Sequence, residues 1–117
     1  MPTALGEFEQ LIILAILRLG EHAYGVRIRR AIEDGTGRDV SAGAVYTALG
    51  RLENRGFVTS RLGETTPDRS GKRRKYYKLE PAGASALYRS YSDIQRMAEG
   101  LVPDLAGLAA KDRGSRA

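Results

Sequence analysis

The 117-residue chain contains no cysteine and a single histidine, His22. Without cysteine there is no disulfide, no thiolate metal site and no thiol nucleophile, which fits a reducing interior. One histidine cannot build a metal cluster or a histidine-based triad, and His22 reads as a structural turn residue. Long apolar runs are missing too. The longest is LIILAIL, Leu11 to Leu17, well short of the about 20 residues a membrane-spanning helix needs. Glu7 and Glu9 precede it where a secretory leader would carry positive charge, so it is expected to be a buried helix. Also absent are a phosphate-cradling glycine loop, a nucleophile elbow and any metal-ligand spacing. The carboxylates are scattered, mostly beside arginines. Neither an enzyme nor a membrane protein is expected, and no catalytic residue, metal or cofactor is assigned.

What is present is a globular composition with one uneven feature. Hydrophobic residues make up 42% and charged residues 28% of the chain, which argues against wholesale disorder. The length suits one domain with a real core. The net charge of +5 is concentrated. Between Arg51 and Lys78 there are nine Lys or Arg against three acids (Glu53, Glu64, Asp68), so that segment is +6 and the rest −1. A basic segment on a near-neutral body is the footprint of polyanion binding, with solvated surface charge as the plain alternative.

Hydrophobic spacing places the elements. Leu5 to Leu19 reads as a helix with Phe8, Leu11, Ile12, Ala15 and Leu19 on one stripe and Ile13, Ile16 and Leu17 beside it. That is more apolar surface than one core needs, so part of it is expected to meet a partner; Gly20 stops it. Tyr24 to Glu33 is a second helix, and EDGTGRD, 33 to 39, is turn material. Ser41 fits an N-cap for a third helix reaching about Arg55, with Val45, Ala48, Leu49 and Leu52 buried and Gly56 following its C-terminus. Two strand-like runs, 57 to 64 and 74 to 80, form a hairpin. Period-2 alternation puts Lys75, Tyr77 and Leu79 on one face and Arg74, Tyr76 and Lys78 on the other, cationic one. Pro81 opens a last helix. Ala84, Leu87, Tyr91, Ile94, Ala98, Leu101, Leu105 and Leu108 follow a heptad seam, which Pro103 should kink or restart near Gly100 to Val102.

The expected fold is thus mostly α with a small β-hairpin. Residues 1–80 form a winged helix-turn-helix domain, 81–110 a long C-terminal dimerisation helix and 111–117 a flexible tail. Short residues at the start of the third helix (Ser41, Ala42, Gly43) allow close approach to a groove, and the helix dipole there favours phosphate. Tyr46 and Thr47 project from the exposed face toward bases or backbone. The alternative for Tyr46 is packing beneath the wing. Arg51 and Arg55 are placed to meet phosphates. In the run GKRRKYYKL, residues 71 to 79, Lys72, Arg73, Arg74 and Lys75 supply a solvent-exposed wing contact, giving affinity and salt dependence with little sequence information. Tyr76 either joins them or packs; Tyr77 packs.

Three stretches, YGVRIRRAIE, GAVYTALGRLENRGFV and GKRRKYYKLEPAG, resemble the PadR family of winged helix-turn-helix transcriptional regulators, over about Leu11 to Leu87. The resemblance implies a cytoplasmic homodimer binding operator DNA, usually as a repressor, with the C-terminal helix crossing to the other subunit. It also implies that some members release DNA on binding a small-molecule effector, placed here at the dimer interface. The heptad seam, read independently, agrees: a homodimer on an inverted repeat is expected, with Leu87, Tyr91, Ile94, Ala98, Leu101 and Leu105 in the subunit interface. Pro103 and Gly107 depart from an uninterrupted dimer helix. The rival function is a winged-helix module docking RNA or protein without operator specificity.

Overall fold

The structure, a computed structural model, describes residues 4–65 and 73–115. Residues up to Leu87 form one compact unit and those from Tyr88 onward a second. The element order is α1 (Glu7–Leu19), a short 3-10 turn (Gly20–His22), α2 (Gly25–Thr36), α3 (Ala42–Asn54), β1 (Val58–Thr65), β2 (Arg73–Leu79), α4 (Pro81–Ala98) and α5 (Val102–Ser115). This is the mostly helical winged helix-turn-helix arrangement expected from the sequence. No described helix is long and apolar enough to cross a membrane.

α1 starts where the Glu9 carboxylate accepts the Gly6 N–H at 2.9 Å, satisfying one donor the helix leaves open. Its buried residues are Ile12, Ile13, Ala15 and Ile16. Phe8, Leu11 and Leu19 are only partly covered, and Leu14 and Leu17 are exposed. The buried face is therefore shifted from the expected stripe toward Ile13 and Ile16. The reason is that α1 meets α2, α3 and β2 at once, so a broad face rather than a narrow seam is used.

α2 runs three residues beyond Glu33 into the segment expected as a turn. Thr36 Oγ1 donates to the Ile32 carbonyl at 2.7 Å, and the helix closes on Gly37 at φ 74, a left-handed cap natural to glycine. The Glu33 carboxylate then accepts the Val40 N–H at 3.1 Å, which turns the chain toward α3. Ser41 caps α3 as expected, its hydroxyl accepting the Ala44 N–H at 3.1 Å. Val45, Ala48, Leu49 and Leu52 are buried, and Gly56 has φ 75 after the last turn.

The hairpin is a two-stranded antiparallel sheet pairing Val58 with Leu79, Ser60 with Tyr77 and Leu62 with Lys75, with a register shift between Leu62 and Thr65. Val58 and Tyr77 enter the core with Ile12, Ile28, Leu49 and Leu52. α4 then begins at Pro81, and its third residue, Gly83, is buried against the Phe57 carbonyl. Leu87 is 7% exposed and belongs to the core of its own unit. Leu87, expected in the subunit interface, is thus packed within its own unit, whose core the first turns of α4 cover.

In the second unit the helix breaks where Pro103 suggested. α4 ends at Ala98, Gly100 takes φ 79, and α5 opens at Val102. α5 continues to Ser115, through most of the segment expected as a tail.

A candidate nucleic-acid interface

The exposed face of α3 carries Gly43, Tyr46, Thr47, Gly50, Arg51 and Asn54. Nothing stands within 4 Å of where a Cβ would lie on Gly43 or Gly50. In a helix interior, as at Gly50, glycine costs about 0.5–1 kcal/mol relative to alanine, and no packing among the described residues accounts for it or for Gly43. Tyr46 is 51% exposed, yet its phenol ring lies over Gly25. A Cβ there would fall 2.8 Å from Tyr46 Cε1 and closer to the rest of the ring tip. Tyr46 thus combines the two alternatives, with one side packed on the start of α2 and the other open.

The hairpin is tied to this helix pair at two places. On the face toward α3, Glu53 accepts from Ser60 Oγ at 2.6 Å and lies 3.5 Å from Lys75 Nζ. Burial, then the negative charge of Glu53, then Tyr46 push the Tyr77 hydroxyl above its ordinary pKa. On the opposite face the tie is Tyr24, the residue before α2. Its backbone bridges to Tyr76, the Tyr77 N–H donates to the Ala23 carbonyl at 2.8 Å, and the two rings meet edge to face at 5.5 Å. The Arg74 guanidinium lies over the Tyr24 ring at 4.4 Å from its centroid, and that of Arg27 at 5.6 Å. Arg27 Nε also donates to Tyr24 Oη at 3.0 Å. Arg61 covers the Tyr76 ring at 4.7 Å. Gly63 leaves room for that ring, since a Cβ there would be 3.1 Å from Tyr76 Cδ1.

The residues expected to bind DNA therefore divide. Ser41, Gly43, Thr47 and Arg51 are exposed on α3, with Ser41 also serving as cap. Arg73 is exposed and its Nε donates to the Gly63 carbonyl at 2.7 Å. Lys75 is exposed but partnered by Glu53. Arg74, expected in solvent, is half-buried with its Nε covered and without an acceptor, because Tyr24 reaches the face that alternation left open. Tyr76 is half-buried for the same reason. Lys72 lies outside the described residues. Sequence reasoning passed over Tyr24, Arg27 and Arg61. The available signal was an aromatic residue directly before Gly25 at a helix start. No group of carboxylates or histidine able to hold a metal occurs among the described residues.

Residues 13–89 match the family described as "Transcriptional regulator PadR-like family". Among solved structures, a PadR-like transcription factor from Bacteroides fragilis is 29% identical, with TM-score 0.64, covering 79% of this chain and 84% of that one. A PadR family transcriptional regulator from Eggerthella lenta is 26% identical at TM-score 0.64, covering 85% and 86%. A PadR-like transcriptional regulator from Bacillus cereus shares the fold at 23% identity and TM-score 0.64, covering 85% and 90%. No curated protein sequence matches the chain.

Proposed function

We propose, from the premise that the chain belongs to the PadR-like family of transcriptional regulators, that it is a cytoplasmic repressor acting as a homodimer on an inverted-repeat operator. The observation that carries the DNA-binding part is the exposed face of α3. Two glycines there reserve space that nothing among the described residues fills, and Tyr46, Thr47 and Arg51 stand around it. Thr47 and the open side of Tyr46 face the bases, while Arg51, Arg73 and Lys75 meet phosphates.

Support for the homodimer comes from the second unit. Tyr91, Ile94, Leu101 and Leu105 are between 54% and 67% exposed, an apolar series a monomer would leave in water. Burying it against a second copy, with Ala98 at its centre, yields roughly 25 cal/mol per Å². Two linked winged domains then bind half-sites about 10 bp apart or a multiple of that, and each raises the effective concentration of the other. A small-molecule effector would act at this same subunit interface.

Selection of bound duplexes from a random pool, with light scattering on the same preparation, tests this reading. Enriched inverted repeats and a mass twice 12.8 kDa are expected. A monomer mass at micromolar concentration removes the dimer, and a preference for RNA or single strands removes the operator.

A further inference from the structure

The second tie of the hairpin gathers positive charge without neutralising it. Three arginines elsewhere meet carboxylates: Arg29 meets Glu33, Arg38 meets Glu7 and Arg96 meets Asp93. Arg27, Arg61 and Arg74 have no carboxylate partner among the described residues, although two touching tyrosines collect all three. Like charges held together on aromatic faces repel one another, and the Arg74 Nε has lost its water without gaining an acceptor. The repulsion among the three cations is relieved when an anion joins them. The anion that suits it is a phosphodiester, because guanidinium forks bond phosphate oxygens in pairs. Arg27 sits in the first turn of α2, where the helix dipole adds to the attraction.

We infer that Tyr24 and Tyr76 hold Arg27, Arg61 and Arg74 as a preorganised clamp on the DNA backbone, separate from the α3 face, with Tyr24 as its positioning residue. This rests on the DNA-binding reading above. Tyr24 itself makes no contact with DNA. Its ring orients Arg27 and Arg74 from two different elements, so that the start of α2 and the wing grip neighbouring phosphates together. The entropy of ordering two long side chains is then met in the free protein rather than on binding.

The test exploits the fact that Tyr24 carries no charge. Affinity of the full chain for a mixed-sequence linear duplex is measured between about 50 and 200 mM salt, where log K falls with log salt by about 0.9 per phosphate contact. Arg27→Ala should flatten the slope by about one unit. Tyr24→Leu should flatten it by about two, although no charge is removed, because both arginines lose their seat. Tyr24→Phe keeps the ring and should retain at least one of those units. A purely structural role for Tyr24 predicts a lower melting temperature with the wild-type slope, and that result overturns the inference. So does a wild-type slope in Arg27→Ala, whose exposed side chain can be removed without disturbing the core, even should Tyr24→Leu fail to fold. A wild-type protein without salt-dependent duplex binding sinks the DNA reading and the clamp with it. A steep wild-type slope unaltered in the variants sinks the clamp alone.

Discussion

Adding one methyl group at Gly83 probes how the wing is joined to the helix that follows it. The new carbon would lie 2.8 Å from Leu79 Cδ1 and 3.0 Å from the Phe57 carbonyl carbon, with the Phe57 oxygen nearer than either. Carbon atoms rest at about 3.5–4.0 Å, so roughly 0.5–1 Å of movement is required. Leu79 can turn aside. The Phe57 carbonyl cannot do so freely, because it accepts the Glu80 N–H at 2.9 Å. Helix propensity favours alanine by up to about 1 kcal/mol, against about 1–3 kcal/mol for overpacking and about 1 kcal/mol for a weakened hydrogen bond. The net expectation for Gly83→Ala is a loss of roughly 1–3 kcal/mol, or about 5–15 °C in Tm for a domain of this size. Gly107→Ala is the matched control, since nothing stands within 4 Å of its Cβ, and it should gain about 0.5–1 kcal/mol. Thermal unfolding followed by circular dichroism at one fixed protein concentration reads both. A Gly83→Ala protein melting at or above the wild type would refute the close packing of α4 on Phe57.

Three further outcomes are expected. Ser41→Ala removes the α3 cap and should cost about 1 kcal/mol in urea unfolding, whereas Ser41→Asp should keep most of it. At alkaline pH, Tyr77 matters: its folded pKa is raised above the ordinary 10.0, so its contribution is whole below that value and is lost as pH climbs through the folded one. Tyr77→Phe should therefore lose stability less steeply than the wild type above about pH 10. At acid pH the sign reverses for Glu7, whose carboxyl is lowered by the hydrogen bond from Arg38 and then by its charge. That contribution is present above the ordinary carboxylate range and disappears as pH falls through the folded value. In Glu7→Gln the decline of the urea midpoint below about pH 5 should be shallower.

Local signals were legible wherever one element decides its own form. Ser41, the buried set from Val45 to Leu52 and Gly56 mark α3 fully, because cap, face and stop are all written within sixteen consecutive positions. Pro103 and Gly100 likewise announce the break after α4. Leu87 shows where periodicity stops being informative. Heptad spacing tells which residues share a face, but not which body covers that face, and here the chain's own core takes Leu87. Arg74 repeats the lesson on a strand. Alternation assigns it to the outer face, while Tyr24, fifty positions earlier, arrives to cover that face. Contacts joining α2, β1 and β2 leave no mark in spacing, so the tyrosine–arginine cluster became visible only in three dimensions.

The hairpin has one long side engaged and one without a neighbour. Ala23 and Tyr24 reach the outer side of β2, whereas β1 pairs with β2 alone among the described residues. A free strand border of this kind is a template on which another chain can add a strand, the first step of aggregation. Two devices limit it here. The register shift between Leu62 and Thr65 interrupts the regular ladder, and Arg61 places a positive charge beside the exposed Leu62, as a gatekeeper does in exposed strands. Neutralising Arg61 would therefore remove a guard as well as a cation. Any such variant has to be shown free of higher-order species before a weaker hold on DNA is ascribed to the missing charge.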